Sequence, residues 1–152
     1  MVAKNRRPIA CGEVRVQFVA RKDLERTQII EKNTPRGRMR VASPEATALE
    51  LVGYEDQCGG LDNVASVIAE LVEAIDVAKL VAAARLCPIA WVQRLGYLLD
   101  VTEHGQVAEP LVQYVRDHAV AVAPLVRKKQ IVRADRIERW KLAVIANVAP
   151  DL

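Results

Sequence analysis

A chain of 152 residues holds one domain with a real core and is too short for two ordinary ones. Hydrophobic residues make up 51% and charged residues 27%, which excludes a disordered chain, while 4% aromatics leave little flat surface for a planar cofactor or unstacked bases. The net charge of +3 is too small to mark a nucleic-acid binder by itself.

The predicted elements begin with β structure. In Glu13 to Val19, Val14, Val16 and Phe18 alternate with polar residues, the pattern of a strand with one buried face. A second strand is expected around Thr27 to Glu31. Asn33 to Gly37 contains Pro35 and Gly37 and reads as a turn. Arg38 to Val41 alternates again, with Met39 and Val41 expected inward and the arginines outward.

Helices are expected through the middle. Ser43-Pro44-Glu45 supplies a capping hydroxyl, a first-turn proline and an acid at the positive end of the helix dipole. That helix should reach about Val52, with Gly53 and Gly59-Gly60 bracketing a loop. Leu61, Val64, Ile68, Leu71, Val72 and Ile75 recur at helical spacing. A third helix is expected over Val77 to Leu86, and a fourth after Pro88 through Leu99. His104-Gly105 breaks the pattern before a fifth helix carrying Val107, Leu111, Val115 and His118.

The tail reads as β again. Ala121 to Val126, Gln130 to Arg133 and the alternation of Trp140, Leu142 and Val144 predict strands, with Pro124 implying an edge or an irregular connection. The expected fold is α+β: one sheet built from N- and C-terminal strands, packed on a central bundle of about five helices, in a single domain over 1–152.

Candidate chemistry is sparse. Cys11, Cys58 and Cys87 are dispersed, as in a reducing cytoplasm, and no secretory signal or membrane span is legible. No cofactor or metal is expected, because His104 and His118 match no zinc spacing. The one enzyme lead is Cys58, which precedes Gly59-Gly60 and a helix start that can lower a thiol pKa. Glu55, Asp56 and Asp62 cluster in that loop, and Glu138 with Lys141 only loosely matches a nuclease spacing.

The basic clusters are the richer material for binding. Arg36, Arg38 and Arg40 line a turn and strand. Lys4, Arg6 and Arg7 precede the first strand. Arg127, Lys128, Lys129, Arg133, Arg136 and Arg139 crowd the C-terminal region. They suit DNA, RNA or an acidic partner, or serve as solvated faces of edge strands. The helices carry compensating acids, so an electrically polarised molecule is expected.

Arg40-Val41-Ala42-Ser43-Pro44-Glu45-Ala46-Thr47-Ala48-Leu49-Glu50-Leu51 resembles the R-V-A-S-P-E-x-T-x-x-x-L stretch of AbiEi-type antitoxins. Gly59 to Val64 is similar to that family's glycine-pair helix entry, and Gln93-Arg94-Leu95-Gly96-Tyr97-Leu98-Leu99 to its R-L-G-Y-L-L helix. The Gly12 to Val19 strand also fits, and the pieces occur in family order. The motif residues Ser43, Pro44, Glu45, Gly59, Gly60, Arg94, Gly96 and Tyr97 read as structural.

The resemblance implies a non-catalytic antitoxin and transcriptional regulator of a type IV toxin–antitoxin system linked to abortive phage infection. Its implied partner is an AbiEii-like nucleotidyltransferase toxin, without a necessary stable complex, and DNA is the possible second partner. Family members carry an N-terminal winged helix. Here few residues precede the first matching strand, so the chain is expected to be the C-terminal domain alone. The alternatives are a standalone nucleic-acid-binding protein and an enzyme centred on Cys58.

Overall fold

Ser43 starts the helical body. The structure is a computed structural model, describing residues 4, 6–21, 23–126, 134–145 and 148. The Ser43 hydroxyl accepts a 3.2 Å hydrogen bond from the Ala46 N–H, and Pro44 occupies the first turn of α1, Pro44–Gly53. Both devices satisfy or remove amide donors that a helix start leaves open.

After a short 3-10 turn, Gly60 leads into α2, Leu61–Leu71, with a φ of 90° that disfavours a side chain. The Asp76 carboxylate caps α3, Val77–Ala84, through the Lys79 N–H at 3.0 Å. Next come α4, Ile89–Val101, and α5, Gly105–His118, with His104 between them. Five helices were expected and the described residues form five.

Their stripes meet in one core. Leu49, Val52, Val64, Ile68, Leu80, Leu95, Leu98, Leu99, Leu111 and Val115 are fully buried. Helix α4 lies centrally and contacts α1, α2 and α5. Gly53 allows the Trp91 ring of α4 to lie where a Cβ would otherwise stand. Such close packing is what lets a core poor in aromatics fill its volume.

The strands correct one expectation. The fold is α+β, but the described strands form three small sheets rather than one. Strand β1, Ile9–Cys11, pairs antiparallel with β2, Val14–Val16. Strand β3, Ile29–Thr34, pairs with β4, Gly37–Ala42. Each pair closes on its sequence neighbour through a tight turn, the shortest route for consecutive strands.

The tail gives a three-stranded sheet of β5, Ala123–Pro124, β6, Asp135–Ile137, and β7, Leu142–Val144, in the order β5-β7-β6. Pro124 thus sits on an edge strand, the first of the two expected alternatives. Gln130 to Arg133 lie outside the described residues. Trp140 belongs to a 3-10 turn rather than to a strand, and Lys141 after it takes a left-handed φ of 46°.

Burial corrects a second expectation. Val14, Val16 and Met39 are exposed, at 64%, 43% and 52%. Their alternation marks two pleated ribbons, but no second layer among the described residues covers these side chains. Phe18 and Val41 are half-buried.

Candidate functional site

The family-like motifs prove to be joints. Glu45 is buried on α1, and its carboxylate accepts a 2.9 Å hydrogen bond from the Asp76 N–H just before α3. Burial pushes the Glu45 carboxyl up, but hydrogen bonds from Asp76 and Ser43 outweigh it and leave the pKa below the ordinary 4.5. The Ser43-Pro44-Glu45 motif therefore starts one helix and fastens the entry of another.

At the glycine pair, Gly59 and Gly60 both have positive φ, and the Asn63 amide donates to the Cys58 carbonyl at 2.7 Å. That bond ties the loop to the first turn of α2.

The α4 motif is the tail's socket. Gln93 and Arg94 are buried, and both reach main-chain carbonyls. Gln93 Nε2 donates to Ala121 O at 3.2 Å and to Lys141 O at 2.8 Å, while Arg94 Nε donates to Pro124 O at 3.0 Å. Gly96 leaves the notch that receives the fully buried Trp140 ring; a Cβ there would overlap it.

The Trp140 indole N–H donates to Asp100 Oδ2 at 2.6 Å, and Arg139 pairs with Asp100 at 3.1 Å and Glu109 at 2.6 Å. The Lys141 ammonium donates to Ala119 O at 2.6 Å, beside the C-terminus of α5, where a cation is favourable. Tyr97 is half-buried, and burial pushes its phenol pKa up.

One joint had no signal in the sequence. Arg21, in the connector between β2 and β3, is buried and forms an ion pair with Glu50 of α1. It also bonds Asp23 and Thr27, each at 3.2 Å, and lies over the Trp91 ring at 5.8 Å. The Arg21 guanidinium holds the exposed Asp23 carboxyl below its usual pKa. This pair anchors the N-terminal segment to the helical body.

The enzyme leads lose support. Burial, with the Glu55 charge, raises the Cys58 thiol pKa above 9.0 instead of lowering it, so the thiolate is disfavoured. Cys58 lines an open groove of about 260 Å³ with Gln17, Val19, Thr47, Leu51 and Tyr54. His104 Nδ1 lies 3.1 Å from the Thr102 hydroxyl. His118 stacks on Tyr114 at 4.2 Å and bonds the Tyr114 carbonyl at 2.9 Å. Among the described residues, no three His, Cys, Asp or Glu side chains gather as metal ligands.

The basic residues separate into groups. Arg38 and Arg40 share one face of β4, Arg36 sits in the turn before it, and all three are exposed. Arg136 is exposed on β6, in a different sheet. Arg139 and Lys141 serve the internal contacts above. Arg127, Lys128, Lys129 and Arg133 lie outside the described residues.

Charge is strongly sorted along the chain. Residues 1–42 carry eleven Lys and Arg against four Asp and Glu, net +7. Residues 43–126, the helical body, carry four against twelve, net −8, and residues 127–152 carry seven against three, net +4. The small overall charge thus hides an acidic body flanked by basic ends.

The structure is similar to the crystal structure of the RV2827C protein from Mycobacterium tuberculosis, with a TM-score of 0.53 and 15% sequence identity. The similarity covers 69% of this chain and 36% of that one, so the chain matches about a third of that protein's length and shares its fold there. No curated protein matches the sequence. None of the helices is long and apolar enough to cross a membrane, among the described residues. Over residues 1–101, which hold the Ser43-Pro44-Glu45 start, the glycine pair and the Gln93-Arg94 socket, the sequence matches the AbiEi antitoxin C-terminal domain, and the chain belongs to that family.

Proposed function

We propose that this chain is a non-catalytic antitoxin and regulator domain. It acts in the cytoplasm, opposes an AbiEii-like nucleotidyltransferase toxin of a type IV system, and assists operator DNA binding. The observation that carries the reading is the family match over residues 1–101. Residues 1–152 work as one domain in this reading, because Gln93, Arg94 and Gly96 bind the tail to the matched part. The contacts to partners fall to the basic ends: Arg36, Arg38, Arg40 and Arg136, with Arg127, Lys128, Lys129 and Arg133.

The test is growth rescue. A cognate AbiEii-like toxin is expressed with and without this chain, and rescue of growth is expected. Continued arrest, with folded protein in the cells, overturns the antitoxin role. DNA or RNA binding without rescue then favours a standalone nucleic-acid-binding protein.

A further inference from the structure

We infer that the β3–β4 ribbon enters the major groove of double-stranded DNA and reads base edges with Glu31, Asn33, Arg38 and Arg40. The inference deepens the operator-binding half of the reading above and rests on it. The argument begins with register. Cross-strand pairing sets Glu31 opposite Arg40 and Asn33 opposite Arg38. Paired residues of an antiparallel ribbon project from the same face, so these four side chains form one polar surface.

Their chemistry suits base edges. Arginine pairs with guanine O6 and N7, asparagine with adenine N6 and N7, and a carboxylate accepts from cytosine N4. Every residue from 31 to 40 is exposed, so this face is open to a ligand apart from the contact of Arg38 with Glu31. The Arg38–Glu31 ion pair, at 2.9 Å, is exposed and readily exchanged for a ligand.

The ribbon has the shape for a groove. Strands of six residues reach roughly 20 Å at ~3.4 Å per residue, and a two-stranded ribbon fits a groove ~12 Å wide. Its turn is fixed at the tip. The Thr34 hydroxyl donates to Gly37 O at 2.7 Å and accepts from the Arg36 N–H at 3.3 Å. Arg36 is thereby carried at the leading end, among phosphates.

Electrostatics orient the approach. The hairpin from 29 to 42 carries Lys32, Arg36, Arg38 and Arg40 against Glu31, net +3, while the helical body is net −8. Phosphates attract the ribbon and repel the body, so the ribbon leads. The face has no aromatic anchor of the kind that dominates protein interfaces, which favours DNA over an acidic protein. Duplex RNA hides its bases in a narrow major groove and fits poorly.

The experiment is a selection from a randomised pool of short DNA duplexes, followed by titration between about 50 and 200 mM salt. The purified chain should enrich a defined sequence. Arg38→Lys should keep the salt dependence but lose the enriched base at its position, by about tenfold or more. Asn33→Ala should also change the enriched sequence. The triple variant Arg36→Ala, Arg38→Ala, Arg40→Ala should bind weakly and enrich no sequence, with a salt slope smaller by about 0.9 for the Arg36 phosphate contact.

All substitutions fall on exposed positions, and circular dichroism confirms that each variant is folded. No enriched sequence, or enrichment unchanged by Arg38→Lys and Asn33→Ala, overturns groove reading. So does polyglutamate competing as well as the selected duplex, the result expected of an acidic-protein site. Growth rescue is scored separately on the same variants, so failure of base reading and failure of antitoxin action are distinguishable.

Discussion

In the helical body, leucines and valines from five helices leave solvent, and the buried Glu45, Gln93 and Arg94 find partners on other elements. In the β3–β4 ribbon, all residues from 31 to 40 stay exposed, and shape comes from strand register and a fixed turn. The body spends its side chains on itself. The ribbon leaves its side chains available to something else. Substitutions in the first should therefore change folding, and substitutions in the second should change binding.

The largest effect is expected at the tail socket. Trp140→Ala empties the notch over Gly96 and removes the bond to Asp100, so urea unfolding should show a loss of about 3–5 kcal/mol. A loss below about 1 kcal/mol would mean the tail is not part of the cooperative unit.

Arg21 tests where the body ends. It lies in the basic N-terminal third but should behave as a core residue. Arg21→Met leaves Glu50 without its cation and should cost about 3 kcal/mol, most of it recovered by adding Glu50→Leu. Failure of the double variant to recover would assign the cost to the Asp23, Thr27 and Trp91 contacts instead.

Glu45 tests the same joint logic through pH. Its folded pKa lies below the ordinary 4.5, so its stabilisation is fully present above that value and lost as pH falls through the folded pKa. Glu45→Gln should cost about 1–2 kcal/mol at neutral pH and flatten the acid limb of the stability profile. An acid limb unchanged by the substitution assigns the proton uptake to other carboxylates.

The smallest effect marks the ribbon. Arg38→Ala should move stability by no more than about 0.5 kcal/mol, because its ion pair is exposed. A cost near that of Arg21→Met would show that the ribbon is a structural part of the body.

Sequence reasoning succeeded where the physical cause was local. The Ser43 cap, the Pro44 start and the α2 stripe each depend on residues within a turn or two. It failed where the cause was distant. Val14 and Val16 alternate as in any half-buried strand, and nothing nearby says that they stay exposed among the described residues. Strand β6 was missed because Asp135-Arg136-Ile137 offers one apolar residue and no alternation. Arg21 and Glu50 meet across 29 residues, and Gln93 reaches carbonyls 28 and 48 residues away. For the candidate site, the arginines were legible, but their shared face with Glu31 and Asn33 required the register of β3 on β4.

Gln93 and Arg94 grip oxygens that every residue type possesses. The three carbonyls they hold belong to Ala121, Pro124 and Lys141, all beyond the family match that ends at 101. These two backbone grips are indifferent to side-chain identity, provided the backbone path is kept, whereas the Gly96 notch beside them is shaped to the Trp140 ring. Side chains at Ala121 and Pro124 can thus change while the tail stays moored to α4, and such a change need not signal a change of architecture.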